Sequence, residues 1–115
     1  MDLEGKIRGY YPAMDRGDLE YVFALFAPAA VYQRGQSFRL EGKPQIEGFY
    51  RDVRKLSGTH HVHRVAADGA EVRVAGSFTG TNAGRPIEIN FTDRWVFGPD
   101  GLVTLRVSEL DQRGV

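Results

Sequence analysis

The sequence predicts an α+β domain: three N-terminal helices packed on a curved, mainly antiparallel sheet. Three observations carry this. Apolar residues recur at helical spacing through the first half of the chain, and from Thr59 onward the pattern switches to strict alternation. Two turn signals, Asp68-Gly69 and Gly98-Pro99-Asp100-Gly101, cut the alternating half into hairpins. At 115 residues the chain supports one core, so residues 1–115 are read as a single domain.

Leu3, Ile7, Tyr10, Tyr11 and Met14 follow the capping residue Asp2 and mark a first amphipathic helix over 3–15, with Pro12 late in it expected to kink or widen it beside Tyr10. Gly17-Asp18 ends that helix and caps a second, whose inward residues are Leu19, Val22, Phe23 and Phe26 and whose end is set by Pro28. A short strand over Ala30 to Arg34 follows, then a loop with a brief strand at Phe38 to Leu40. Pro44 opens a third helix carrying Ile46, Phe49, Tyr50, Val53 and Leu56, which Gly58 closes.

In the alternating half, a two-residue loop at Asp68-Gly69 pairs Val65 with Val72, His63 with Val74 and His61 with Gly76. A looser turn at 81–84 then sets Val72 against Asp93, and the Pro99-Asp100 turn sets Asp93 against Arg106. These registers put His61, His63, Val72, Val74, Gly76, Phe78, Ile89, Phe91, Asp93, Trp95, Phe97, Thr104, Arg106 and Ser108 on one face. His60 points the other way. Asp93 is the exception in an otherwise apolar row from Ile87 to Phe97. A carboxylate there must be paired, protonated or set beside a polar cavity.

Composition excludes several classes. The 15 basic and 15 acidic residues balance to a formal net charge of +0, with no run of either sign, which argues against a nucleic-acid or membrane-surface partner. There is no cysteine, so disulfides, thiol catalysis and thiolate zinc sites are out. No apolar run is long enough to span a bilayer and none resembles a signal region, so the expected location is the cytoplasm. Phosphate loops, nucleophile elbows and metalloprotease helices are absent.

The segments YYPAMDRGDLEYVFALFAPAAVYQRG, LEGKPQIEGFY, VAADGAEVRVAGSFTGT and FTDRWVFGPDGLV resemble the nuclear transport factor 2-like superfamily, within it the ketosteroid isomerase and SnoaL-like polyketide cyclase branch. The resemblance covers almost the whole chain. It implies a cone-shaped pocket enclosed by the helices and the sheet, a fold that hosts isomerases, cyclases, dehydratases, epoxide hydrolases and plain binding proteins. It places the first-helix tyrosine of an isomerase oxyanion hole on Tyr10 and the hole's acid on Asp93. The isomerase base falls on or near Arg34, and a guanidinium does not abstract protons at neutral pH. The histidine of SnoaL-like cyclases falls where this chain has Thr81-Asn82-Ala83-Gly84, while a cyclase-type aspartate corresponds to Asp93.

The expected site therefore centres on Asp93, with Tyr10 and His63 as its catalytic companions. Asp93 is either a general acid, base or neutral donor, or a cross-strand ion-pair partner of Arg106; these roles oppose each other and the sequence leaves both open. Tyr10 is either core or a hydrogen-bond donor. Arg34 is placed at the pocket mouth, holding an anionic or carbonyl group, and Tyr32, Phe49, His61, Phe91, Trp95 and Arg106 complete the substrate-facing set. His61 and His63 stand two strands from Asp93, about 10 Å in strand spacing alone, so no shared metal is expected. The reading is a cofactor-independent enzyme acting on a hydrophobic oxygenated small molecule, or a binding protein of the same fold that has lost the base. A homodimer is expected through an outer apolar row of Val103, Leu105 and Val107.

Overall fold

The computed structural model describes residues 2–113. The order of elements is α1 (Leu3–Asp15), α2 (Leu19–Ala24), β1 (Phe26–Arg34), β2 (Phe38–Glu41), α3 (Lys43–Gly48), one π-helical turn (Phe49–Val53), β3 (Leu56–Asp68), β4 (Glu71–Asn82), β5 (Arg85–Phe97) and β6 (Val103–Arg113). Among the described residues six strands form one open mixed sheet in the order β2-β1-β6-β5-β4-β3, with the β1/β6 pair parallel and the others antiparallel. An α+β fold with three helices and a mainly antiparallel sheet is what the periodicity predicts.

Asp2 caps α1 by accepting from the Gly5 amide, and Asp18 caps α2 by accepting from Tyr21. α1 runs through Pro12, which lies on its exposed side, and buries Ile7, Tyr10, Tyr11, Ala13 and Met14. α2 stops at Ala24 rather than at Pro28. Pro28 instead lies in an irregular stretch of β1, between the pairings Phe26–Val103 and Val31–Leu105, where its missing amide leaves no ladder position unfilled. The third helix is also shorter than its apolar pattern implies. It widens after Gly48 into the π turn, closed by the Arg54 amide on the Phe49 carbonyl, and Leu56 and Gly58 belong to β3. The wide turn buries Phe49 and Tyr50 side by side.

Each hairpin closes two residues away from the expected register. Asp68 pairs with Glu71 around Gly69-Ala70, where Gly69 supplies the positive φ at the first central position of a type II′ turn, and Asn82 with Arg85 around Ala83-Gly84, both at positive φ as a type I′ turn requires. A shift of two preserves the face, so Asp93 still points inward with Phe91, Trp95 and Phe97, now opposite Val74 and Ser108 instead of Val72 and Arg106.

Two bulges overturn particular expectations. In β3 the register slips by one between Val62 and Arg64. Beyond that bulge the parity reverses: His60 and Val62 share the inner face with Phe78 and Gly76, while His61 and His63 are exposed on the outer one, His63 against the Ser77 hydroxyl at 3.1 Å. The second slip, between Val96 and Phe97, sets Val103 opposite Phe97 and fully buries it in the core. Val103 therefore leaves the outer row, which keeps Leu105 and Val107, and Thr104 turns out to solvent.

Gly80 and Gly58 face each other across β3 and β4. A Cβ on Gly80 would lie 2.1 Å from the Ser57 carbonyl oxygen, so the two backbones approach as closely as they do only because neither carries a side chain.

Candidate functional site

The inner face gathers a polar cluster inside an aromatic shell. Asp93, 2% exposed, accepts three hydrogen bonds: its Oδ2 from Tyr11 Oη at 2.5 Å and Arg106 Nη2 at 3.1 Å, its Oδ1 from Ser108 Oγ at 2.6 Å. Trp95 Nε1 donates to Tyr11 Oη at 3.2 Å, and an indole N–H is donor only, so the single phenolic proton of Tyr11 goes to Asp93. A carboxylate offers about four acceptor positions, so one on Oδ1 has no donor among the described residues.

Arg106 is 5% exposed and spends its Nη1 on two phenols, Tyr10 Oη and Tyr50 Oη, each at 2.7 Å. Its plane packs against the rings of Tyr32 and Trp95, both at 4.5 Å, and Tyr10 at 4.8 Å, which repays part of its desolvation. Burial opposes the Arg106 charge, but Asp93 foremost, with Tyr10, Tyr32 and Tyr50, raises its pKa well above the ordinary value. The contact to Asp93 is one-pronged, not the closed bidentate pair of a purely structural bridge.

Tyr10 and Tyr50 have one hydroxyl proton to spare between them. Tyr10 Oη and Tyr50 Oη lie 2.7 Å apart, and both accept from Arg106. One phenol donates to the other, which leaves one hydroxyl proton of the pair without a protein acceptor. Of the two, only Tyr10 lines the inner chamber. Burial raises the pKa of both phenols, with Arg106 opposing, so both stay protonated donors near neutral pH.

That chamber measures about 30 Å³ and is bounded by Tyr10, Phe91, Asp93, Arg106 and Ser108 on one side and by Arg34, Arg54, His60 and Phe78 on others. It shares Arg34, Arg54, Leu56, Ile89 and Leu110 with an outer cavity of about 710 Å³ walled by Phe38, Leu40, Phe49 and Leu56. The pair leads from the protein surface to Asp93.

His60, brought inward by the β3 bulge, packs its ring at a tilt against Phe78 at 4.7 Å and Tyr11 at 5.6 Å. Its Nδ1 lies 2.5 Å from Asp15 Oδ1, and its amide donates to Asp15 Oδ2 at 2.9 Å. An ionised Asp15 accepts only, so a neutral His60 carries its proton on Nδ1 and leaves Nε2 as a free base. Burial lowers the His60 pKa below its ordinary value, with the Asp15 contact opposing.

Of the residues the sequence singles out, Tyr10, Arg34, Phe91, Asp93 and Arg106 meet around the chamber, and Phe49 lines the outer cavity. Tyr32 and Trp95 stand behind it as the faces that hold Arg106. His61 and His63 lie outside. Tyr11, Asp15, Arg54 and His60 join without having been singled out. Tyr11 sits beside Tyr10 on the apolar stripe of α1, and two adjacent tyrosines on one buried stripe are the signal that both hydroxyls need partners. No sequence feature marks the bulge that exchanges His63 for His60. Among the described residues no group of three His, Asp or Glu is placed to hold a metal, and no helix is long and apolar enough to cross a membrane.

A SnoaL-like domain profile matches residues 7–106. The chain belongs to the SnoaL-like domain family. Among solved structures, this SnoaL-like chain is similar to an NTF2-like protein of unknown function from Burkholderia pseudomallei (TM-score 0.86, 21% identity, covering 96% of this chain and 92% of that one). It is similar also to an LEH-like epoxide hydrolase of M. tuberculosis (0.83, 20%, 96% and 83%) and to the epoxide hydrolase/cyclase-like enzyme SalBIII of pyran ring formation in the polyether salinomycin (0.82, 18%, 96% and 91%). At these identities the likeness is one of fold. No curated protein matches the chain in sequence.

Proposed function

We propose that this SnoaL-like domain is an enzyme of isomerase, cyclase or dehydratase type that moves a proton at carbon in a hydrophobic oxygenated small molecule, using its own side chains as acid and base. One observation carries the reading: a phenol, Tyr10, of a pair with one hydroxyl proton to spare, and an imidazole held by a carboxylate, His60 on Asp15, line one chamber. In an enolisable substrate, His60 Nε2 takes a proton from carbon. The C–H electron pair forms the new C=C bond, the carbonyl π pair moves to oxygen, and Tyr10 Oη–H stabilises the charge that develops there. Where the substrate also carries a β,γ C=C bond, the dienolate takes the proton back from His60 at its γ-carbon while the oxygen's electron pair re-forms the carbonyl, which completes an isomerisation. Asp93 orients Arg106, which with Tyr50 polarises the Tyr10 hydroxyl, and its spare Oδ1 position suits a substrate hydroxyl. His60 thus takes the role that the sequence assigned to His63.

A second reading, a binding protein of the same fold without chemistry, draws on the size of the chamber: about 30 Å³ admits a ligand's oxygen or a water rather than a ring, and most of the space lies outside it. A crystal structure with a bound apolar ketone such as 1-tetralone separates the two. The enzyme reading expects the ketone oxygen within hydrogen-bond reach of Tyr10 Oη; a ketone confined to the outer cavity favours binding alone. We also place a homodimer on the outer sheet face, where Val107, Ala75 and Ala66 line a groove of about 540 Å³ between Arg64, Arg94 and Glu109. Sedimentation at high concentration should give the dimer mass, and a monomer there would contradict it.

A further inference from the structure

Resting on the reading of this pocket as a ligand site, we infer that its ligand is an organic anion, an apolar body carrying a carboxylate that seats between Arg34 and Arg54 where the outer cavity meets the chamber. Both arginines line both spaces. Neither forms an ion pair among the described residues: Arg34 Nη2 donates to Tyr32 Oη at 3.3 Å, and Arg54 Nη1 to the Leu56 carbonyl at 3.3 Å. Arg94, comparably half-buried on the outer face, is by contrast paired with Glu71 at 2.7 Å.

Arg34 is prepared for a planar acceptor. Its guanidinium lies 5.2 Å from the Phe38 ring centre and 5.4 Å from that of Phe49, so aromatic neighbours fix the group and leave its N–H edge for a carboxylate. Its Nε, like that of Arg106, is buried with no acceptor among the described residues. The charges around the two spaces are unbalanced. Arg34, Arg54 and Lys55 face Asp52 in the outer cavity, and Arg34, Arg54 and Arg106 face Asp93 in the chamber, within a chain whose formal net charge is +0. A site with such an excess in partly desolvated surroundings selects anions over isosteric neutral molecules. The walls of Phe38, Leu40, Phe49, Leu56, Ile89 and Leu110 take the apolar body.

The test compares 1-naphthoate with 1-naphthamide, equal in shape and different in charge, by isothermal titration calorimetry on the full chain. The anion is expected to bind at least about tenfold more tightly, an advantage that shrinks as salt rises. Arg34→Gln, and separately Arg54→Gln, should remove most of that advantage, the naphthoate affinity falling by more than the amide's, with circular dichroism confirming the fold. Equal binding of acid and amide overturns the anion anchor while leaving the pocket reading in place. Naphthoate affinity unmoved by both substitutions also overturns it, and binding of neither probe overturns it together with the pocket reading.

Discussion

Arg106→Met is expected to unfold in denaturant at a free energy about 3–5 kcal/mol below the wild type, the cost of leaving a buried charge without its partner. The substitution fills the space of the side chain's stem but strands Asp93, 2% exposed, with only the Tyr11 and Ser108 hydroxyls as donors. It also removes the N–H donors that Tyr10 and Tyr50 share. Against a total stability of about 5–15 kcal/mol this is a large fraction, and the melting temperature should fall by roughly 10–25 °C. The exposed pair Arg8–Glu4 supplies the control: Arg8→Gln should change stability by less than about 1 kcal/mol. A loss at Arg106 no larger than at Arg8 would mean that Asp93 and Arg106 are not a charged pair in the folded protein.

How much of this was legible follows from which signals survive a register error. The inward position of Asp93, Trp95 and Arg106 could be read because side chains alternate with period two, and each hairpin missed its register by two. The same arithmetic hides His60. One extra residue near His63 reverses the parity of everything before it in β3, and nothing in the run HHVHRV announces the bulge. Tyr10 was legible as a buried phenol on a helix stripe, but not its partners, because Tyr50 depends on the widened π turn after α3, a local departure from helical spacing. The resemblance supplied the fold and pointed to Tyr10 and Asp93, which both line the chamber; it put no base in the chain, and the base proposed for His60 rests on the bulge.

His60→Gln is expected to lower the rate of proton transfer by about 10²–10⁴-fold, the usual contribution of a positioned general base. The glutamine keeps polar contacts and similar bulk while losing the basic nitrogen, so a loss of that size reports chemistry rather than packing. The pH dependence carries a sign. The base works only while neutral, and burial lowers the His60 pKa, so the wild-type rate should rise with pH to a plateau, with the midpoint of the rise below about 6.5, the ordinary histidine value. Asp15→Asn removes a contact that raises that pKa, so the acid limb should move to lower pH. Glutamine at position 60 should abolish the limb.

The measurement closest to the central claim needs no knowledge of the natural substrate. An apolar enolisable ketone such as 1-tetralone is incubated with the protein in D₂O, and deuterium entering at the carbon beside the carbonyl is followed by NMR. The account predicts exchange well above the buffer rate for the wild type, reduced about 10²–10⁴-fold over that background in Tyr10→Phe and in His60→Gln. Exchange that is fast in the wild type and equally fast in both variants would contradict it, because the chemistry would then run without the two groups that the chamber brings together.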